Sequence, residues 1–146
     1  MCGTHHSQHP PPLELTFPAD PAQLAPVRTT LRSWLQRCGL SRRVAEEVLV
    51  AAGEACANAI EHGLRHAPGR IRLTADASVS RLRLTADASV SRLRLTVRDT
   101  GRWKPARPAA GHYRGHGITV MRAVMNRVDI RPGTAGTTVD MQLEIG

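Results

Sequence analysis

A chain of 146 residues with 41% apolar content holds one core-forming domain, and neither two large domains nor a compositionally disordered chain. It has no run near the roughly 18 apolar residues of a membrane span and no charged-then-apolar leader, so neither a membrane protein nor a secreted one is expected. The formal charge of +8 points first to a polyanion partner, but nineteen of the twenty cationic residues are Arg and only Lys104 is Lys, a bias that GC-rich coding also produces.

Residues 1–12 are rich in Pro and His and carry no periodicity, so they read as a disordered tail. His5, His6 and His9 with Cys2 could take up a metal there, but nothing nearby would fix the geometry. Cys2, Cys38 and Cys56 are odd in number and far apart, which argues for reduced thiols and a cytoplasmic protein. Leu13 to Phe17 alternates as a short strand does, and Pro18 ends it. Asp20 and Pro21 open a helix whose apolar residues Leu24, Val27, Leu31, Trp34 and Leu35 recur at steps of three and four up to Gly39.

Ser41 caps a second helix, with Val44, Val48, Ala52, Ala55 and Ala59 on one stripe, broadened by Leu49 and Ile60, and Gly63 closing it. Glu47, Glu54, Asn58 and Glu61 share another face. Glu54 and Asn58 lie one turn apart inside an alanine-rich stretch, where small neighbours let another group approach. A solvated polar face explains the same spacing.

Arg72–Leu82 and Arg83–Leu93 both read RLTADASVSRL, an undiverged tandem duplication. Two units of eleven cannot build a solenoid. The sequence offers three strand-like pieces, 70–75, 81–86 and 92–97, where a hairpin needs two. A third strand would reverse the direction in which the chain leaves Val97. One copy can loop out at about 1 kcal/mol of closure entropy, for a loop growing from about 5 to about 16 residues. Alternatively the extra copy exchanges with a second molecule. A displaced copy or a swapped homodimer is therefore expected around residues 76–91.

Asp99-Thr100-Gly101 follows the last of these strands directly, with the glycine permitting a sharp backbone path. Residues 102–112 form a Pro- and Arg-rich loop. Gly115-His116-Gly117 opens a helix over Ile118–Val128, with Val120, Met121, Val124 and Val128 on its apolar side. Free N–H groups at such a helix start, with Arg114 beside them, make an anion site. The spacing matches neither a phosphate-binding P-loop nor a dinucleotide fingerprint. Val128–Arg131, a turn over 132–136 and Thr137–Ile145 read as a closing hairpin. The whole order predicts an α/β (α+β) two-layer sandwich, with a mixed, mostly antiparallel sheet and helices on one face.

Four of these pieces, in this order and spacing, resemble the GHKL ATPase superfamily. Glu54-Ala-Cys-Ala-Asn58-Ala-Ile-Glu-His62-Gly63 is similar to its asparagine box. Asp99-Thr-Gly101 is similar to its first glycine box, Gly115-His116-Gly117 to its second, and Gly136-Thr137-Thr138-Val139 to its closing strand motif. The resemblance covers residues 13–146 as one histidine-kinase-like ATP-binding domain, and within the superfamily it leans toward stand-alone serine-kinase anti-sigma factors of actinobacterial type. Two positions depart from the pattern. His116 stands where Arg is frequent, and Trp103 where many relatives carry a further glycine.

The resemblance implies ATP and Mg²⁺ as cofactors. Asn58 would hold the metal and Asp99 the adenine amino group, with Thr137 beside it. Gly101 would let the backbone approach the base. Gly115, His116 and Gly117 would meet the phosphates with Arg114, and Glu54 would be the general base. It also implies a sigma factor and an anti-sigma antagonist as partners, the latter as phosphoryl acceptor. A non-catalytic ATP-binding regulator is the alternative. A histidine-kinase fragment fits less well, because no helix with an acceptor His precedes the domain. A direct nucleic-acid binder ranks third, since Phe17, Trp34, Trp103 and Tyr113 are all the stacking aromatics there are.

Overall fold

The computed structural model describes residues 10–65, 69–79, 90–99, 115–133 and 136–145, without the side chains of 62–65, 79, 115 and 116. The elements are β1 (Leu13–Pro18), a 3₁₀ turn (Pro21–Gln23), α1 (Leu24–Arg37), α2 (Arg42–Arg65), β2 (Arg70–Val79), β3 (Val90–Asp99), α3 (Gly115–Val124), β4 (Arg127–Gly133) and β5 (Gly136–Glu144). The sheet order is β1-β2-β3-β5-β4, and every neighbouring pair is antiparallel. This is the expected α+β sandwich, with the sheet antiparallel throughout its described strands.

Alternation along each strand decides which sheet face is buried. Leu15, Leu73, Val97, Val139 and Ile130 align across the five strands as one apolar row. Leu13, Ala75, Leu95, Met141 and Val128 align as the next. The helices cover these rows. α1 buries Val27, Leu31, Trp34 and Leu35, and α2 buries Val48, Leu49, Ala52, Ala55 and Ile60. Five alanines of α2 (45, 51, 52, 55 and 59) are buried, because the helix is wedged against α1, α3 and the sheet at once.

Local signals behave as their chemistry dictates. Asp20 accepts from Ala22 N at 3.0 Å, and Ser41 Oγ accepts from Val44 N at 3.2 Å. Gly39 ends the first helix at φ +79°, a backbone that favours glycine. Within the segment assigned to the N-terminal tail, residues 1–9 with their His and Cys lie outside the described residues, whereas the Pro11 carbonyl accepts a 2.8 Å bond from Trp34 Nε1.

Three boundaries differ from the sequence reading. α2 runs past Gly63 to Arg65. α3 spans Gly115–Val124 instead of Ile118–Val128, because Asn126 breaks it: its N–H donates to Gln142 O, and its Oδ1 accepts from Glu144 N. Val128 is consequently a buried β4 residue. The closing hairpin stays paired to Gly133–Gly136, so its turn is shorter than the five residues expected.

β2 and β3 pair directly as a hairpin, Ile71 with Asp99 through Ser78 with Arg92. β3 therefore approaches Asp99 in the sense that a single copy of the duplicated unit would give. The middle strand-like piece, 81–86, lies outside the described residues.

The open face of the sheet carries ion pairs. Arg72 meets Glu14 at 2.6 Å and Arg92 meets Glu144 at 2.9 Å. Arg94 Nε and Nη2 donate to Asp140, at 3.0 and 2.6 Å, and Arg131 Nη2 does so at 3.3 Å. The Arg94 hydrogen bonds hold the Asp140 carboxyl below the ordinary carboxylate range, against an opposing push from burial. A depressed native pKa stabilises above the unfolded value and loses that contribution as pH falls through the native one. Asp140→Asn is expected to cost about 1 kcal/mol at pH 7 and to converge with the parent as pH drops below about 4, in denaturant melts across pH.

Candidate functional site

α2 presents Glu54 and Asn58 one turn apart. Glu47, two turns before Glu54, is exposed, but Glu54 is half-buried and Asn58 is only 6% exposed. A merely solvated face would not bury its amide. The cause is α3, whose first turn docks on this part of α2. A Cβ placed on Gly117 would lie 3.0 Å from Glu54 Oε1 and 3.3 Å from Asn58 Nδ2. Only glycine lets the helix start come this close.

The opening turn of an α-helix leaves its N–H groups without intrahelical partners, with the positive end of the peptide dipoles among them. Here that turn abuts a carboxylate and a carboxamide. Such an arrangement can bind an anion through backbone N–H groups while an amide oxygen ligates a hard cation and a carboxylate takes a proton.

Asp99 and Thr137 lie at one end of the sheet. Asp99 ends β3, and Thr137 is the second residue of β5, one step beyond the ladder pair Arg98–Thr138. Alternation turns both toward the helix-covered face, and both are buried. Two buried polar atoms find no hydrogen-bond partner among the described residues, Asn58 Nδ2 and Thr137 Oγ1. Unpaired buried donors cost about 1–3 kcal/mol each, and a ligand that pairs with them would recover that cost. Thr137→Val is accordingly expected to leave stability unchanged or raise it by about 1 kcal/mol while weakening nucleotide binding, by thermal melts with and without nucleotide.

Of the nine predicted site residues, the structure brings Glu54, Asn58 and Gly117 together and puts Asp99 and Thr137 side by side at the strand ends. Gly115 and His116 sit on the first turn of α3. Gly101 and Arg114 lie outside the described residues. The contact of Gly117 with Glu54 was not foreseen. Its only sequence signal is the glycine itself at a helix start. No group of three or more His, Cys, Asp or Glu gathers to hold a metal among the described residues. The Asn58 amide oxygen is a suitable single ligand for a hard cation, whose shell a phosphate chain and water would have to complete.

Cys38 and Cys56 are both free and buried. Burial pushes Cys38 up to about 11 and Cys56 up to about 12. Both are expected to resist thiol reagents at pH 8 until the chain unfolds, as peptide mass spectrometry would read.

The profile of the histidine kinase-like ATPase domain matches residues 17–143. The chain belongs to this family. The match spans β1 to β5 and includes every residue of the site. Among solved structures, the RsbU and RsbW domains of Rv1364c from Mycobacterium tuberculosis are similar at 24% identity and a TM-score of 0.65. That alignment covers 92% of this ATPase domain and 32% of the other chain, so the domain spans about a third of its length. The histidine kinase domain of the blue-light activated histidine kinase EL346 from Erythrobacter litoralis is also similar, at 17% identity and a TM-score of 0.48, over 85% of this chain and 60% of that one. The fold is that of the histidine kinase-like ATPase domain. No helix among the described residues is long and apolar enough to cross a membrane.

Proposed function

We propose that this ATPase domain is a protein serine/threonine kinase of the anti-sigma type, which binds ATP with Mg²⁺ and phosphorylates an anti-sigma antagonist. The observation that supports it best is the contact of the α3 start with Glu54 and Asn58, because it joins a phosphate cradle, a metal ligand and a base in one place.

In this reading Asn58 holds Mg²⁺ through its amide oxygen, and the ion, when bound, neutralises phosphate charge. Asp99 accepts from the adenine amino group, with Thr137 Oγ1 alongside. Gly101 admits the base. The N–H groups of Gly115, His116 and Gly117, with Arg114, hold the phosphates. Glu54 accepts the proton of the attacking seryl hydroxyl, whose oxygen bonds the γ-phosphorus as the bond to ADP breaks. The carboxylate is half-buried, so it stays reachable by a hydroxyl from a second protein. A sigma factor is the partner held when the antagonist is absent.

The test is transfer of γ-phosphate from labelled ATP to any candidate antagonist protein encoded near this chain. Glu54→Gln is expected to keep nucleotide affinity within about threefold and to slow transfer by about 10²–10⁴. Unchanged transfer would remove Glu54 from the chemistry. ATP binding without transfer to any such partner would leave a regulator that acts by protein contact alone.

A further inference from the structure

One face of α2 is left over by the packing of the core. Val50 is 47% exposed, the one large apolar residue that stays in water among the described residues. A single residue of this kind is ordinary on a surface. Its neighbours set this one apart. Glu54 follows it by four residues, so the two side chains share a face. Gly53 and Ala57 lie three and seven residues on and flank the same face. From residue 50 to residue 57, Glu54 is the only charged side chain.

Gly53 is unexplained by the fold. Glycine is the poorest helix former after proline, and this one sits in the middle of α2. A Cβ placed on it would meet nothing within 4 Å, so no close approach inside the domain requires it. Gly117, by contrast, is held against Glu54 and Asn58.

On the far side of Gly53, α1 and α2 leave a groove of about 210 Å³ that opens to solvent. It is lined chiefly by Leu24, Val27, Leu31, Leu49, Gly53 and Cys56. Small-molecule pockets hold about 300–1,000 Å³ and place polar groups among the apolar ones. This groove is smaller and almost wholly apolar, so it suits one or two aliphatic side chains. At about 100° per residue, the surface of α2 runs from the groove over Gly53, Ala57 and Val50 to Glu54.

We infer that Val50 is a specificity-determining residue for the protein acceptor. It and the groove beyond Gly53 receive apolar side chains that flank the acceptor serine, and so bring its hydroxyl to Glu54. This rests on the kinase reading of Glu54. A hydroxyl carried by a protein arrives with its chain neighbours, and these need a surface within a turn of the base. The apolar lane ends at the half-buried Glu54 carboxylate and supplies that surface. The bare Gly53 lets a second chain cross α2 closely.

Candidate antagonist proteins encoded near this chain are the probes, titrated against it in Mg·ADP. Val50→Gln adds no charge beside Glu54 and alters an exposed position. It is expected to melt like the parent and to bind Mg·ATP within about twofold of it. Acceptor binding is expected to weaken about tenfold, because an apolar contact is lost and an amide is desolvated without a partner. Gly53→Met is expected to raise the melting midpoint by about 3 °C through helix propensity and to weaken acceptor binding to a similar extent. Parent-like acceptor affinity in both variants would overturn the proposal.

Phosphoryl transfer is read separately. Binding lost in the variants with no transfer by the parent would uphold Val50 as the docking residue and remove the kinase reading. Transfer by the parent, matched by both variants in acceptor KM, would do the opposite. A parent that binds none of the candidates would overturn both. A parent dimer that Val50→Gln dissociates, with acceptor binding kept, would assign the groove to a second copy and overturn the proposal too.

Discussion

Asn58→Ala is expected to make the protein more stable and unable to hold Mg·ATP. In the nucleotide-free chain the Asn58 amide is buried on a helix, with Nδ2 lacking a partner among the described residues. Removing an orphaned amide recovers about 1–3 kcal/mol. Alanine is also the better helix former, by about half a kcal/mol. The lost side-chain contacts offset part of this. A net gain of about 1 kcal/mol, or about 4 °C in melting midpoint, is the expected result. Over the same substitution Mg·ATP affinity is expected to fall by at least about 100-fold if, as proposed, Asn58 is a direct metal ligand. Calorimetric melts and nucleotide titration on one preparation check both signs. A purely structural asparagine would show the reverse, with lower stability and unchanged affinity.

Gly117→Ala is expected to separate stability from chemistry in another way. The new methyl would sit 3.0 Å from Glu54 Oε1 and 3.3 Å from Asn58 Nδ2. The Glu54 carboxylate is the far end of a half-buried side chain and can swing aside. Asn58 is enclosed and cannot, so the α3 start must lift away from α2. Such overpacking costs about 1–3 kcal/mol, and the gain in helix propensity over glycine returns up to about 1. The chain therefore still folds. In the proposed reading, displacing the α3 start from Glu54 and Asn58 by about 1 Å is enough to cost about 100-fold in transfer. The readouts are phosphoryl transfer to the protein acceptor and nucleotide affinity, alongside a thermal melt that stays cooperative with its midpoint lowered by no more than about 8 °C. Transfer at the parent's rate would mean that the contact between α2 and α3 is packing alone.

Much of this molecule is legible along its chain. The apolar spacing of Val27, Leu31, Trp34 and Leu35 reports a local period, and a local period needs no knowledge of neighbours. The alternation in Leu93, Leu95 and Val97 does the same for a strand with one buried face. Element ends were less legible where a side chain reaches across the fold. Asn126 ends α3 early because its bonds go to β5, a partner 16 to 18 residues further on. Asp140 also gave no sign in the sequence, since its partners Arg94 and Arg131 are set by strand order.

The site divides in the same way. The sequence by itself determined which residue types are present and in what order: a carboxylate and a carboxamide one helical turn apart, an Asp at a strand end, glycines at a helix start. It also determined that eleven residues occur twice. Periodicity alone left Glu47, Glu54, Asn58 and Glu61 equivalent, and only the alanine-rich surroundings and the family resemblance singled out Glu54 and Asn58. Only the tertiary structure decided that α3 lands on Glu54 and Asn58 and leaves Glu47 in water, and that Asp99 and Thr137 end up on adjacent strands. Those are contacts between segments some 40 to 60 residues apart. They depend on how the layers close, which no local pattern encodes.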